Sequence, residues 1–335
     1  MIKKIEWLCK RYQFYFKEGN FMNSIPSTRL FNKKNALVLA LLTLLIFVGS
    51  LFLPPFILKA HAATEGIPKT VMYVEVNNND FNNVGKYTLE STTKPAFDIG
   101  IIFAANINYD TTSKKPYLFL NERVTQTLNE YETQIRPVQA RGTKVLLSIL
   151  GNHQGAGFAN FTTYESADAF AAEIEQVVNK YHLDGVDFDD EYAEYGKNGT
   201  AQPNNSSFIW LLQALRSRLG TDKLITLYNI GPSAYNSATN PLMSELVNYS
   251  WNPYYGSWQP PQIVGMDASR LGAAAVEVGV NQSTAIQLAN RTKTEKYGIY
   301  LMYNLSGTNS ASYISAVTQE LYGRKTLYSS TIPVP

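Results

Sequence analysis

Cysteine is all but missing from this chain: the one residue, Cys9, stands near its beginning. Everything downstream therefore lacks a disulfide framework, a composition that tolerates an oxidising exterior without mispairing. Histidine is nearly as scarce. Only His153 and His182 follow residue 63, too few and too far apart for a His-rich metal centre. Basic patches are wanting too. Of 29 Lys/Arg and 27 Asp/Glu, nine and two fall within residues 1–63. The whole-chain charge of +2 thus reverses to a mildly acidic remainder, which argues against a nucleic-acid partner or an anionic membrane surface. No internal repeat, low-complexity tract or Ser/Thr/Pro linker interrupts residues 64–335. They read as one catalytic domain, expected to be monomeric, of about 270 residues, enough to bury its own core.

What the beginning does have is a long apolar run. Ala36 to Leu53 is broken only by Thr43, Gly49 and Ser50, is preceded by Lys33 and Lys34, and is followed by Ala60-His61-Ala62. A basic flank, an apolar stretch and small residues in A-x-A spacing are the parts of a secretory signal. The run is long enough that an uncleaved membrane anchor, with residues 64–335 outside, is the alternative and the one membrane association expected. Met22 offers a second start that leaves a short basic segment ahead of the run.

Apolar, β-branched runs recur at Val71–Val76, Phe97–Ala105, Lys144–Ile149, Leu183–Asp189, Leu224–Asn229, Tyr249–Tyr254, Ala274–Val278 and Gly298–Tyr303. The spacing predicts eight strands. Stripes at helical spacing fall between them: Val124, Leu128, Tyr131, Ile135 and Val138 behind an Asn121 cap, and Ala167, Phe170, Ala171, Ile174 and Val178 behind Ser166. Alternating strand and helix implies a parallel sheet. Eight units fit an α/β fold of the (β/α)8 TIM-barrel type better than an open doubly wound sheet. Pro232, Pro241, Pro253, Pro260 and Pro261 leave irregular or missing helices after strands five and six.

The most informative stretch is Leu183-Asp184-Gly185-Val186-Asp187-Phe188-Asp189-Asp190-Glu191. Alternation along a strand sets Asp187, Asp189 and Glu191 toward one side, roughly 6.5–7 Å apart per step. Like charges that close raise one another's pKa, so the set holds a proton near neutral pH, as a general acid must. A calcium or magnesium site is the alternative. An EF-hand loop counted from Asp187, however, wants Gly and Glu where Tyr192 and Asn198 stand.

The pattern Asp184-Gly185-x-Asp187-x-Asp189-x-Glu191 resembles the signature of glycoside hydrolase family 18. The runs Gly151-Asn152-His153-Gln154-Gly155-Ala156-Gly157-Phe158, Glu191-Tyr192-Ala193-Glu194-Tyr195-Gly196 and Trp251-Asn252-Pro253-Tyr254-Tyr255-Gly256 resemble its endo-β-N-acetylglucosaminidases. The likeness spans about Val71 to Tyr322. It implies a barrel without metal or other cofactor and an activity on N-linked glycans of glycoproteins. In that likeness Glu191 is the proton donor, Asp189 orients the substrate's 2-acetamido group, Asp187 exchanges a proton with Asp189, and Tyr254 hydrogen-bonds the acetamido oxygen. Asn252, two residues before Tyr254, is expected to share its strand face. Trp258 and Tyr303 are candidate platforms for the apolar face of a sugar. Asn106, Asn152 and Asn229 follow strands and are candidate ligands for hydroxyls. Ser148-Ile149-Leu150-Gly151 departs from the Ser-x-Gly-Gly usual among family chitinases, so a chitinase is the second enzyme reading, and a non-catalytic carbohydrate-binding barrel the third. A cleaved signal predicts that N-terminal sequencing of protein from culture fluid reads from Ala63 or Thr64. Membrane-bound protein that retains Ala36–Leu53 would show the anchor instead.

Overall fold

The computed structural model describes residues 66–334; the expected signal or anchor over residues 1–63 lies outside them. Eight strands carry the architecture: β1 (Lys69–Glu75), β2 (Ile99–Asp110), β3 (Lys144–Gly151), β4 (Gly185–Asp189), β5 (Leu224–Tyr228), β6 (Tyr249–Trp251), β7 (Leu271–Gly272 and Ala274–Glu277) and β8 (Ile299–Tyr303). Neighbours run parallel from β1 through β6 in chain order, and β8 pairs with β1. The two halves of β7 close the circle, Leu271–Gly272 pairing with β6 and Ala274–Glu277 with β8. The fold is α/β and TIM-barrel-like, as the alternation of strand and helix predicts.

Period-two alternation divides the apolar residues between two cores. Val71, Tyr73, Ile99, Ile101, Leu146, Tyr228, Trp251, Ala275, Ile299 and Leu301 fill the barrel interior. Met72, Val74, Val186, Phe188, Ile225, Leu227 and Met302 face the helices. Full helices follow β3 (Tyr164–Lys180), β4 (Ser207–Leu219), β7 (Gln282–Thr294) and β8 (Ala311–Tyr322). After β5 the chain makes two short ones, Gly231–Ser237 and Leu242–Leu246. After β6 it forms no α-helix before β7, as the prolines suggest, only the 3-10 turn Ala268–Arg270, and it descends antiparallel to β7 through Ser257–Trp258.

Four features depart from the sequence reading. No α-helix follows β1; the 3-10 turn Phe81–Lys86 does, with Phe81, Val84 and Tyr87 buried in the space a helix would fill. The helix between β2 and β3 is three pieces, Glu122–Asn129, Tyr131–Gln134 and Arg136–Ala140, the last with Pro137 in its first turn, where a missing N–H breaks no helical bond. Strand β2 runs on to Asp110 and meets an antiparallel arm, Lys115–Phe119. Finally, Thr163 rather than Ser166 caps Tyr164–Lys180, with Ser166 as its capping-box partner.

Candidate active site

The register of β4 fixes the site. Asp187 lies across from Ser148 on β3 and from Thr226 on β5, so two hydroxyls flank one carboxylate at the same level of the barrel. Ser148 Oγ donates to Asp187 Oδ2 over 2.9 Å, and Thr226 Oγ1 to Oδ1 over 2.6 Å. Tyr73 from β1 reaches across the interior and donates its hydroxyl to Oδ2 at 2.7 Å. That hydroxyl in turn accepts from Trp251 Nε1 at 2.9 Å. Asp187 is fully buried, and burying an ion costs several kcal/mol. Hydrogen bonds to a charged group contribute about 1.5–3 kcal/mol each, so three of them offset that cost. Burial raises the Asp187 pKa while Thr226, Tyr73 and Ser148 pull it back.

Asp189 has no such support. It is 3% exposed and its Oδ1 has no hydrogen-bond partner. Burial first, then the charges of Glu191, Asp187 and Asp190, hold its pKa well above the ordinary carboxyl value. Of the two, Asp189 is therefore held more strongly toward its protonated form, and Asp187, with three donors, is the better placed to bear a charge. Both Asp187 oxygens face hydroxyl donors, which suits a hydrogen-bonded carboxylate rather than one ligating calcium. Among the described residues no group of three His, Cys, Asp or Glu could hold a metal ion.

Glu191 stands two residues beyond β4, half-buried, its pKa raised by desolvation. Its loop is stitched to the loop after β3: His153 N–H donates to Tyr192 O at 2.9 Å and Gly155 N–H to Ala193 O at 2.7 Å. A side chain on Gly151 would put its Cβ 2.8 Å from the Tyr192 carbonyl carbon. Thus two of the runs that carry the family resemblance are each other's neighbours.

The other candidates divide. Tyr303 stands at the end of β8, stacked on Tyr255 with centroids 5.0 Å apart and planes 11° off parallel. Burial raises its pKa, and Glu75, Glu277 and Glu191 lie near enough to add to the rise. Tyr254 is 44% exposed at the mouth, and its hydroxyl is the main neighbour that pushes the Tyr235 pKa up to about 12. Asn252 does not share its face. Strand β6 ends at Trp251, and Asn252 turns inward, fully buried. Its amide donates to Ser257 O, Ser257 Oγ and Ala273 O, and its Oδ1 accepts from Tyr254 N. Every polar atom of that side chain is used in shaping the loop, so none is left for a sugar. Trp258 is likewise corrected: Arg291 lies 4.1 Å over its ring and Tyr297 meets its edge, packing it on the barrel's outer side toward the start of β7.

Asn152 donates to Asn108 Oδ1 at 2.7 Å, and the Asn106 amide lies 3.5 Å from the carbonyls of Leu150 and Gly151. Asn229, partly buried, donates its N–H to Trp251 O. Asn152 and Asn229 directly follow β3 and β5, whereas Asn106, expected after its strand, lies within β2 because that strand runs on to Asp110. Sequence reasoning missed Tyr73, Thr226 and Tyr228. The last is buried with its hydroxyl bonded to Pro253 O at 2.6 Å, and Asp189, Glu191 and Asp187 contribute to the rise in its pKa, which burial dominates. A signal existed: hydroxyls at inward positions of otherwise apolar strands.

The Asp189 shift has a consequence for stability. Its folded pKa lies above the unfolded value of about 3.9, so the contribution is fully present below that value and is lost as pH rises through the folded pKa. Asp189→Asn should therefore melt higher than wild type at pH 8, by about 2–4 °C for each kcal/mol released, with a smaller gap at pH 4. A variant that melts lower than wild type at pH 8 would refute the assigned shift.

Residues 69–250 match the sequence profile of glycosyl hydrolases family 18. The chain is 52% identical over 274 residues to an endo-beta-N-acetylglucosaminidase of Flavobacterium sp. (strain SK1022), covering 81% of this chain and 86% of that one. It is 31% identical over 290 residues to endo-beta-N-acetylglucosaminidase F1 of Elizabethkingia meningoseptica, covering 81% and 84%. Among solved structures it is similar to EndoBT-3987 of Bacteroides thetaiotamicron with a Man5GlcNAc product, at TM-score 0.68 and 27% identity. That match takes in 82% of this chain and 66%, about two thirds, of the other. The same protein in complex with a Man9GlcNAc2Asn substrate matches at TM-score 0.66 and 25% identity, over 82% and 71%.

Proposed function

The chain belongs to glycosyl hydrolases family 18, and we propose that it is an endo-β-N-acetylglucosaminidase cutting the β-1,4 bond within the chitobiose core of high-mannose N-glycans by a substrate-assisted, retaining route. The observation that carries this reading is the buried Asp189 oxygen with no protein partner. An acetamido N–H of a bound sugar supplies the donor it lacks.

In this proposal Glu191, whose pKa desolvation raises, gives its proton to the glycosidic oxygen as the C1–O bond breaks. The substrate's own acetamido carbonyl oxygen attacks C1, so no protein nucleophile is needed and an oxazolinium ion forms. Asp189 passes its proton to Asp187 and accepts the acetamido N–H, setting a negative charge beside the developing positive one. Tyr73, Ser148 and Thr226 follow that transfer by rotating their hydroxyls. Water then adds to C1, Glu191 takes its proton, and the acetamido group is restored. Tyr254 serves as a donor to the acetamido oxygen, and the stacked Tyr255 and Tyr303 as an apolar wall for a sugar face. The names of the similar proteins and the Man9GlcNAc2Asn complex of EndoBT-3987 support the choice of N-glycan over chitin.

The same proposal takes the enzyme to be exported, on the strength of the Ala36–Leu53 run and Ala60-His61-Ala62, and to act as a monomer. Glu191→Gln keeps the shape but has no proton to give. Turnover of a Man9GlcNAc2-peptide should fall by at least ~100-fold, with the melting temperature and glycan binding close to wild type. Turnover at the wild-type rate would remove Glu191 as the acid.

A further inference from the structure

The proposed chemistry uses Asp187, Asp189 and Glu191 and leaves the fourth carboxylate of the run idle. Asp190 is 1% exposed, yet nothing in the catalytic scheme explains why a charge is buried there. Its partners give the reason. Tyr195 Oη donates to Asp190 Oδ1 at 2.6 Å, and the Ser233 N–H donates to Oδ2 at 2.8 Å. Tyr195 Oη also accepts from Ala159 N at 3.2 Å. One carboxylate thus ties together the loops after β3 and β4 and the first turn of the helix Gly231–Ser237 after β5.

Two glycines make room for this tie. At Gly231, where φ is +75°, an added Cβ would fall 2.3 Å from Asp190 O and 2.7 Å from Asp190 Cβ. At Gly157 it would fall 2.4 Å from Tyr195 Oη. The backbone therefore approaches the Asp190–Tyr195 pair closely at both Gly231 and Gly157. Burial pushes Asp190 up to about 6, although Tyr195 and Ser233 both pull it down.

We propose that Asp190 is a positioning residue: clamped between Tyr195 and Ser233, it fixes the backbone on which the next residue, Glu191, meets the glycosidic oxygen. The inference rests on the role given to Glu191 above. A carboxyl aimed by its own peptide neighbour keeps its direction only while that neighbour is held, and misplacement of about 1 Å can cost ~100-fold in rate. The clamp complements the backbone bonds from His153 and Gly155, which hold the other side of the same loop. Removing the Asp190 charge also takes away one of the neighbours that raise Asp189.

The test compares wild type, Asp190→Asn and the milder Tyr195→Phe by two readouts. On a Man9GlcNAc2-peptide, kcat should fall ~10- to 100-fold with KM within about twofold, and for Asp190→Asn the acid limb of kcat/KM should move to lower pH. Carbon-13 NMR titration of the Glu191 carboxyl, which requires no substrate, should give a moved midpoint in both variants. A melting temperature that drops while kcat, pH profile and Glu191 titration stay at wild-type values would mean a purely structural tie and overturn the proposal. Should Asp190→Asn fail to fold, Tyr195→Phe decides. If wild type itself leaves the glycopeptide uncut, the functional reading fails, and the titration alone still supports or overturns the clamp.

Discussion

A negative charge inside a parallel barrel is tolerable only if donors surround it, and here the requirement falls on Asp187. The strand register delivers Ser148 and Thr226 on either side, while Tyr73 crosses the interior, oriented by Trp251. Four strands beyond β4 itself are thereby committed to one carboxylate. Because those donors are spent on Asp187, none remains for Asp189, two residues nearer the mouth. The inequality between two chemically identical side chains follows from where the hydroxyls stand.

The loops repeat the logic at a larger scale. Asn252 uses its whole amide to turn the chain after β6, and that turn presents Tyr254 and Tyr255 at the mouth. Backbone pairing between the loops after β3 and β4 does the same for Glu191. Exposed tyrosines, Tyr192, Tyr235, Tyr254 and Tyr255, are left around the opening, where apolar ring faces with polar tips suit a ligand that is itself half apolar and half hydroxyl. An unpartnered buried carboxyl is a standing cost in the free protein, which is the usual relation between a prepared site and stability.

The barrel was legible because buried parallel strands announce themselves as apolar runs and because inward and outward residues alternate. The carboxylate row was legible for the same reason, since period two brings Asp187 and Asp189 to one face. Strand ends were not. Whether Asn252 continues β6 or leaves it depends on bonds to Ser257 and Ala273, which no local pattern encodes. Trp258 looked like a sugar platform because aromatic residues near loops do; only the descent of the chain beside β7 carries it away from the mouth and under Arg291. Tyr73 and Thr226 read as ordinary strand residues until the register set them against Asp187. Asp190 is hidden by its position, one residue out of phase with the inward row of Asp187 and Asp189.

What the arrangement around Asp187 and Asp189 ultimately proposes is that the substrate supplies the nucleophile, with two inversions at C1 summing to retention. Proton NMR during the first minutes of cleavage reads the anomeric configuration of the new reducing end before mutarotation blurs it. The proposed mechanism requires the β-hemiacetal to appear first and the α-anomer to grow in later. An α-anomer formed first would mean direct attack by water on the opposite face of the ring, and would contradict the role assigned to Asp189.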